Sequence, residues 1–176
     1  MFDLFSGLPV HILVLHAVVV LGPIAALFAI ALAVRPTWRA WLKWPTLTLA
    51  VIATASALIT KESGEQLEHR LINGLTAAQQ ADPAVKAQLD LVHEHTEMGD
   101  LAGAVGLVFG VVVILAIWFV LVPRVVNAGS RLQSSTMKTL ASVLVVVVSL
   151  GFLGTVTLAG HTGAKAAWSD QISTAK

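Results

Sequence analysis

Histidine is the residue type in this sequence best suited to chemistry, because six histidines are present and cysteine is absent. Without thiolates the chain has no disulfide, no Cys-type zinc site, no iron–sulfur cluster and no c-type haem attachment. A neutral imidazole can bind a metal ion or a haem iron, or it can form hydrogen bonds inside a helical protein. Any metal site would therefore depend on imidazole, carboxylate, backbone or thioether ligands.

Composition indicates the surroundings in which these histidines lie. Apolar residues make up 56% of the 176 residues and charged residues only 12%, about half the charged share of a soluble domain. With a net charge of +1, the chain has no strong field that would attract a polyanion. The composition therefore indicates an integral membrane protein, and it excludes a soluble domain and a nucleic-acid partner.

Four apolar runs are expected to form membrane-spanning helices: 10–34, 45–62, 101–122 and 139–160. A helix crosses the hydrocarbon core with about 20 apolar residues, and in lipid each backbone amide must be paired within its own segment. The second run reaches the required length if its helix continues through Lys61 into Gln66. The sequence thus predicts an all-α integral membrane four-helix bundle that forms a single domain over 1–176.

The segment between the second and third runs, 63–98, is predicted to be helical and to lie on the outer side of the bundle. Asn73-Gly74 is typical of a helix end, and Asp82-Pro83 is typical of a helix start. We expect the helix that begins at Pro83 to run into the third span without a break. The simplest alternative is a surface helix that lies over the end of the bundle.

Charge placement predicts the orientation of the chain in the membrane. The two short loops, 35–44 and 123–138, contain basic residues and no acid, whereas all ten acidic residues lie on the other side. The basic residues of the short loops are Arg35, Arg39, Lys43, Arg124, Arg131 and Lys138. Since Lys and Arg in short loops mark the cytoplasmic side, both termini are predicted to be extracytoplasmic.

This topology brings histidines from three spans to the outer side. His11 and His16 lie near the start of the first span, His95 precedes the third, and His161 closes the fourth. His16 lies roughly 10 Å inside its span, at about 1.5 Å per residue, and an ionisable side chain at such a depth is a functional hypothesis by default. We therefore expect these imidazoles to converge in one pocket.

A stripe of small residues follows one of these histidines down the third span. Its members are spaced by 4, 4, 3 and 4 residues: His95, Gly99, Gly103, Gly106 and Gly110. Small residues let two helices approach closely, and they would also leave room for a flat macrocycle against the backbone. Both interpretations of the stripe stay open on the sequence alone.

The opening Leu8-Pro9-Val10-His11, followed by His16, resembles the Leu-Pro-x-His…His start of a bacterial membrane family, domain of unknown function 2231. His95 before the third span and Gly160-His161-Thr162-Gly163 after the fourth are also similar to that family. The resemblance implies a four-span protein of the bacterial inner membrane, with site residues at these four histidine positions. Because some members are fused to Rieske or cytochrome c domains, it also implies a redox setting.

The first hypothesis for the function is haem b binding for electron transfer, in a respiratory or quinone-linked setting. Two imidazoles from facing helices can ligate a haem iron, for example His16 with His95, or His161 with either. The propionates would meet a basic side chain at the outer edge, which could be Lys61, Arg70, Lys86 or Lys165. The residues expected around this cofactor are His11, His16, His95, His161, Lys61, Gly99, Gly103 and Gly106.

Two alternatives to haem stay open. One is a site for a divalent transition metal, since imidazole with carboxylate suits Zn, Fe or Mn; its ligands would be His11, His16, His95, His161 and Glu62. The other is a cofactor-free accessory subunit of a membrane complex. No nucleophile, acid and base are placed together, so the sequence assigns no enzyme activity. The expected partners are the lipid bilayer and, beyond it, other membrane or respiratory subunits or a quinone.

Overall fold

The computed structural model describes residues 4–5, 8–121 and 134–174. Before the first helix, two short strands, β1 (Leu4–Phe5) and β2 (Leu8–Pro9), pair in antiparallel fashion. The helices are α1 (Val10–Val34), α2 (Arg39–Asn73), α3 (Ala77–Gln80), α4 (Pro83–Leu115) and α5 (Ser135–Thr174). A 3₁₀ turn, Pro36–Trp38, joins α1 to α2, and a π-helical segment, Ala116–Leu121, extends α4.

Four of these helices are long and apolar enough to cross a membrane. Each of the four packs against two neighbours, because α1 and α4 both lie between α2 and α5. This arrangement confirms the all-α membrane four-helix bundle that the sequence predicts. Helix α1 covers the residues of the first predicted span. Helices α2, α4 and α5 are longer than the second, third and fourth predicted spans that they contain.

Large apolar side chains cover the outside of the bundle as well as its inside. Leu27 on α1, Val51 on α2, Val111 on α4 and Val147 on α5 are all exposed. A soluble monomer rarely leaves contiguous apolar surface of this kind in contact with water. The four spanning helices therefore imply a lipid bilayer around the bundle.

The middle of the bundle is packed through small residues and one aromatic pair. Phe109 on α4 and Phe152 on α5 are fully buried, and their ring centroids lie 4.9 Å apart. A β-carbon added at Gly22 or Gly106 would lie 3.4 Å or 3.0 Å from the Phe152 ring. Glycine at these positions lets α1 and α4 approach α5 closely. This packed centre separates two ends of the bundle that differ in their chemistry.

We call the end where α1 begins, α2 ends, α4 begins and α5 ends the histidine end, and the opposite one the arginine end. At the arginine end, Arg39 donates from Nε to the Leu32 carbonyl at 3.2 Å and from Nη2 to the Ala33 carbonyl at 3.1 Å. Its Nη2 also donates to Ser142 Oγ on α5 at 3.1 Å. A cation at this position complements the negative end of the α1 dipole.

Aromatic rings accompany the other basic side chains of the arginine end. The Arg35 guanidinium lies 5.8 Å from the Trp38 ring centroid. Lys43 is only 4% exposed, and its ammonium lies 5.3 Å from the Trp44 ring and 4.8 Å from the Trp118 ring. Such cation–π contacts partly replace the hydration that burial removes. Two further basic residues of the predicted cytoplasmic loops lie outside the described residues: Arg124 and Arg131.

Helices α2 and α4 are long enough to project beyond a membrane at the histidine end. The 35 residues of α2 span about 52 Å at 1.5 Å per residue, compared with about 30 Å for the hydrocarbon core. The helix ends at Asn73, and Asp82 Oδ1 caps α4 by accepting the Ala84 amide at 2.8 Å. These ends, and the unbroken course of α4, confirm the predicted signals. The two projecting helices take the place of the surface helix considered as the alternative.

Candidate functional site

A cavity of about 400 Å³ lies inside the histidine end, with walls from α1, α2, α4 and α5. Its volume falls in the range of about 300–1,000 Å³ that is typical of small-molecule sites. Most of the lining is apolar. Five of its side chains carry a charged, amide or imidazole group: His11, Lys61, Glu68, Gln88 and His95. An apolar chamber with a few polar groups is suited to a ligand that is itself mostly apolar.

Two imidazoles in this cavity are oriented by backbone carbonyls of neighbouring helices. The Nδ1 atom of His11, on α1, lies 2.9 Å from the Thr60 carbonyl on α2. The Nδ1 atom of His95, on α4, lies 3.1 Å from the Ala159 carbonyl and 3.3 Å from Thr162 Oγ1, both on α5. Because a carbonyl oxygen only accepts, Nδ1 carries the proton in each ring. In the neutral tautomer Nε2 then keeps a free lone pair.

The two rings meet across the cavity. The ring centroids of His11 and His95 lie 5.9 Å apart, and the ring planes make an angle of 81°. The two residues come from α1 and α4, which occupy opposite corners of the bundle. The fold therefore brings together two nitrogen acceptors that are 84 positions apart in the sequence.

Two glycines make room for these rings. A β-carbon at Gly64 would lie 3.1 Å from His11 Cε1, and one at Gly163 would lie 2.9 Å from His95 Cε1. The sequence alone does not predict a role for Gly64, and it marks Gly163 only as part of the ending around His161. Glycine inside a helix costs roughly 1 kcal/mol of stability relative to alanine. A glycine within a predicted helix therefore indicates a close contact at that position, and this was the signal in the sequence for both residues.

Comparison with known proteins gives the family of the chain. Residues 7–176 match the sequence model of the family described as predicted membrane protein, DUF2231. The chain belongs to this family. The match confirms the resemblance carried by the histidine and glycine motifs. Neither the search of curated proteins nor the search of solved structures gave a significant match.

The predicted glycine stripe of this DUF2231 protein has two different surroundings. Gly99 lines the cavity and has open space where a β-carbon would be. A β-carbon at Gly103 would lie 3.0 Å from Lys61 Cδ, and one at Gly106 would lie equally close to Phe152. Helix packing therefore accounts for Gly103 and Gly106, and the open space at Gly99 adjoins the cavity.

Lys61 lies in the cavity wall, but acidic side chains surround its charge. Its Nζ atom contacts Glu65 Oε1 on the same helix and lies 3.3 Å from Asp100 Oδ1 on α4. One ammonium with two carboxylates leaves this cluster with a net negative charge. The surroundings of Lys61 thus do not favour the contact with a propionate that we expected from the sequence.

The structure does not bring His16, His161 and Glu62 into the cavity. All three side chains are exposed, and His16 Nδ1 lies 2.7 Å from the Ile12 carbonyl of its own helix. Five residues separate His16 from His11, which is about 140° around a helix, so the two rings lie on different faces. His161 is displaced by about 100° from Thr162, whose hydroxyl lies near His95. The expected convergence is therefore limited to His11 and His95.

The set of metal ligands expected from the sequence is not assembled. In the part of the chain that the structure describes, no group of three or more His, Asp or Glu side chains is placed to hold a metal ion. The physical reason is helical phase, because three of the five expected ligands lie on outward faces of α1, α2 and α5.

A histidine–carboxylate pair, His93 with Glu68, joins the two projecting helices, and its histidine lies outside the cavity. His93 on α4 is 65% exposed and its Nδ1 donates to Glu68 Oε1 on α2 at 2.9 Å. Glu97 Oε1 lies 3.6 Å from its Nε2. The hydrogen bond to Glu68 raises the pKa of His93, and the charges of Glu68, Glu97 and Asp90 act in the same direction. Glu68, itself 13% exposed, also lines the cavity.

Proposed function

We propose that this chain binds haem b in the cavity of the histidine end, with His11 and His95 as the axial ligands, and that it transfers electrons within the membrane. The observation that carries the proposal is the pair of imidazoles whose Nδ1 atoms bind backbone carbonyls and whose rings lie 5.9 Å apart. An outer-shell hydrogen bond of this kind fixes the tautomer and the orientation of a ligating histidine.

The number of ligands favours haem over a bare metal ion. A structural or catalytic zinc site takes three or four protein ligands, and the described residues provide no third ligand beside His11 and His95. Haem brings the equatorial nitrogens itself and asks the protein only for axial ligands.

The walls of the cavity support the same ligand. Haem is a mostly apolar macrocycle, and apolar side chains dominate the lining. When bound, haem supplies one-electron chemistry. The chain's own residues would orient the two imidazoles through the Thr60 and Ala159 carbonyls, and the apolar walls would exclude water, which tunes the reduction potential.

The test is a visible spectrum of the purified protein in mild detergent, recorded oxidised and after dithionite. We expect a Soret band and a sharp reduced α band in the wild-type chain. His11→Ala and His95→Ala should each abolish the low-spin spectrum. His16→Ala and His161→Ala are the matched controls and should leave it unchanged, because these side chains are exposed outside the cavity.

Three outcomes would contradict the proposal. They are a colourless wild-type protein after addition of haem b, full haem loading in both cavity variants, and loss of haem in the controls alone. Elemental analysis of the same samples detects a stoichiometric non-haem metal, which would favour the metal alternative. Circular dichroism of each variant distinguishes loss of the ligand from loss of the helical fold.

A further inference from the structure

Polar contacts tie together three of the four seams between neighbouring helices at the histidine end. His11 and Thr60 cross from α1 to α2. Two pairs cross from α2 to α4: Lys61–Asp100 and Glu68–His93. Four contacts cross from α4 to α5: His95–Ala159, His95–Thr162, Gln88–Ala166 and Gln88–Ser169. These contacts hold α2, α4 and α5 against one another around the cavity.

The seam between α1 and α5 has a different character. Among the residues described at the histidine end, no hydrogen bond or ion pair joins these two helices. Val19 on α1 and Gly160 on α5 both line the cavity and are both exposed, Val19 by 46%. A β-carbon at Gly160 would meet no atom within 4 Å. The cavity wall is therefore thin and open along this seam.

The seam lies at membrane depth. Val19 is nine residues into α1, about 13 Å along the helix, and Gly160 is the last residue of the fourth predicted span. Below this level the seam closes, because Gly22 packs against Phe152 and Val156. The exposed lining residues of this seam, Val19 and Gly160, thus lie within the predicted spans, at the depth of the lipid chains.

We infer that haem b enters the cavity sideways from the bilayer, between α1 and α5, and that Gly160 keeps this entrance open. This inference rests on the proposed function. A planar apolar macrocycle with two carboxylates is an amphiphile that dissolves in a bilayer. A lateral entrance would let its apolar body pass from lipid to the apolar cavity without crossing water. The hydrophobic effect opposes the transfer of apolar surface into water.

The experiment measures the rate at which haem b, added to haem-free protein in phosphatidylcholine nanodiscs, gives the Soret band. Gly160→Phe should slow this rate about tenfold or more, which corresponds to a barrier higher by about 1.4 kcal/mol. Gly154→Phe is the matched control, because Gly154 is also an exposed glycine of α5 without an atom near its β-carbon position, but does not line the cavity.

A second pair of variants addresses the other side of the seam. Val19→Trp should slow loading in the same way, and Val20→Trp should not, because Val20 is exposed to lipid but is not part of the lining. Ala167→Phe tests entry from the aqueous end, since Ala167 is an exposed lining residue in the projecting part of α5.

The outcomes separate the two proposals. If the wild-type chain binds haem b and Gly160→Phe and Val19→Trp load at its rate, the lateral entrance is overturned while the haem site stands. Slow loading in Ala167→Phe alone would move the entrance to the aqueous end and also overturn it. If the wild-type chain takes up no haem b, both proposals fail together.

Discussion

His11 and His95 are oriented by carbonyl groups of the main chain, which have no proton to gain or lose in the physiological range. The direction of each hydrogen bond is therefore fixed, because Nδ1 must donate to the carbonyl of Thr60 or Ala159. Had carboxylates taken these places, protonation of the acid could have reversed the bond. Backbone anchoring keeps Nε2 available at any pH at which the rings are neutral, which suits a ligand pair.

At the same scale, His93 and Glu68 form a pair that responds to pH. Because Glu68 raises the pKa of His93, the pair is fully charged below the ordinary pKa of histidine. Its attraction is lost as the pH rises through the raised pKa. We expect Glu68→Gln to lower the pKa of His93 towards its ordinary value, as measured by following the His93 ring resonances in an NMR titration.

Glu62→Gln provides the control for this prediction. Glu62 also lies on α2 and is exposed, but its carboxylate accepts from Gln66 and not from a histidine. The pKa of His93 should be the same in this variant as in the wild type. An unchanged His93 titration in Glu68→Gln would show that the contact between the projecting helices is absent in solution.

At the scale of helices, glycines determine how closely α2, α4 and α5 approach. Gly106 is closely packed, since its β-carbon position lies 3.0 Å from Phe152 and 3.2 Å from the Ala57 methyl group. Gly64 and Gly163 leave the space that the imidazole rings of His11 and His95 occupy. Packing of helices and shaping of the cavity thus depend on one type of residue, used at different heights of the bundle.

This packing predicts that Gly106→Val destabilises the bundle. The added methyl groups must displace the Phe152 ring or separate the helices, and overpacking of this kind costs about 1–3 kcal/mol. Gly154→Val, on an exposed face of α5 with no atom within 4 Å, is the control for the intrinsic effect of valine on a helix. Reversible unfolding in mixed micelles measures both, and equal stabilities would contradict the assigned contact.

At the scale of the whole molecule, the two ends of the bundle carry opposite types of charge. The described acidic residues lie at the histidine end, whereas Arg35, Arg39, Lys43 and Lys138 lie at the arginine end. The rule for basic residues in short loops predicts that the arginine end faces the cytoplasm. The proposed haem site would then lie near the extracytoplasmic surface of a bacterial inner membrane.

The absence of cysteine makes this orientation directly measurable. Single cysteines placed at Ala78, in the exposed α3, and at Thr37, in the exposed 3₁₀ turn, report on the two ends. We expect a membrane-impermeant maleimide to label Ala78→Cys in intact cells and Thr37→Cys only after the membrane is opened. The reverse pattern would invert the orientation and leave the fold unaffected.

Features that depend on local chemistry could be predicted from the amino-acid sequence. Apolar runs identify spans because burial in lipid is favourable residue by residue, and Asp82-Pro83 or Asn73-Gly74 mark helix ends because capping involves only adjacent residues. The family motifs also lie in short stretches around His11 and His161. For these reasons the four-helix bundle and the ends of the projecting helices were predictable.

Which histidines meet depends on how the helices pack against one another. His11 and His16 differ by a rotation of about 140° on one helix, but the face that points inward depends on how α1 packs against α2 and α5. The same packing placed Gly64 under His11 and Gly163 under His95, and it surrounded Lys61 with two carboxylates. These contacts join residues far apart in the chain, so their energies belong to the assembled bundle and leave no signature in any local stretch of sequence.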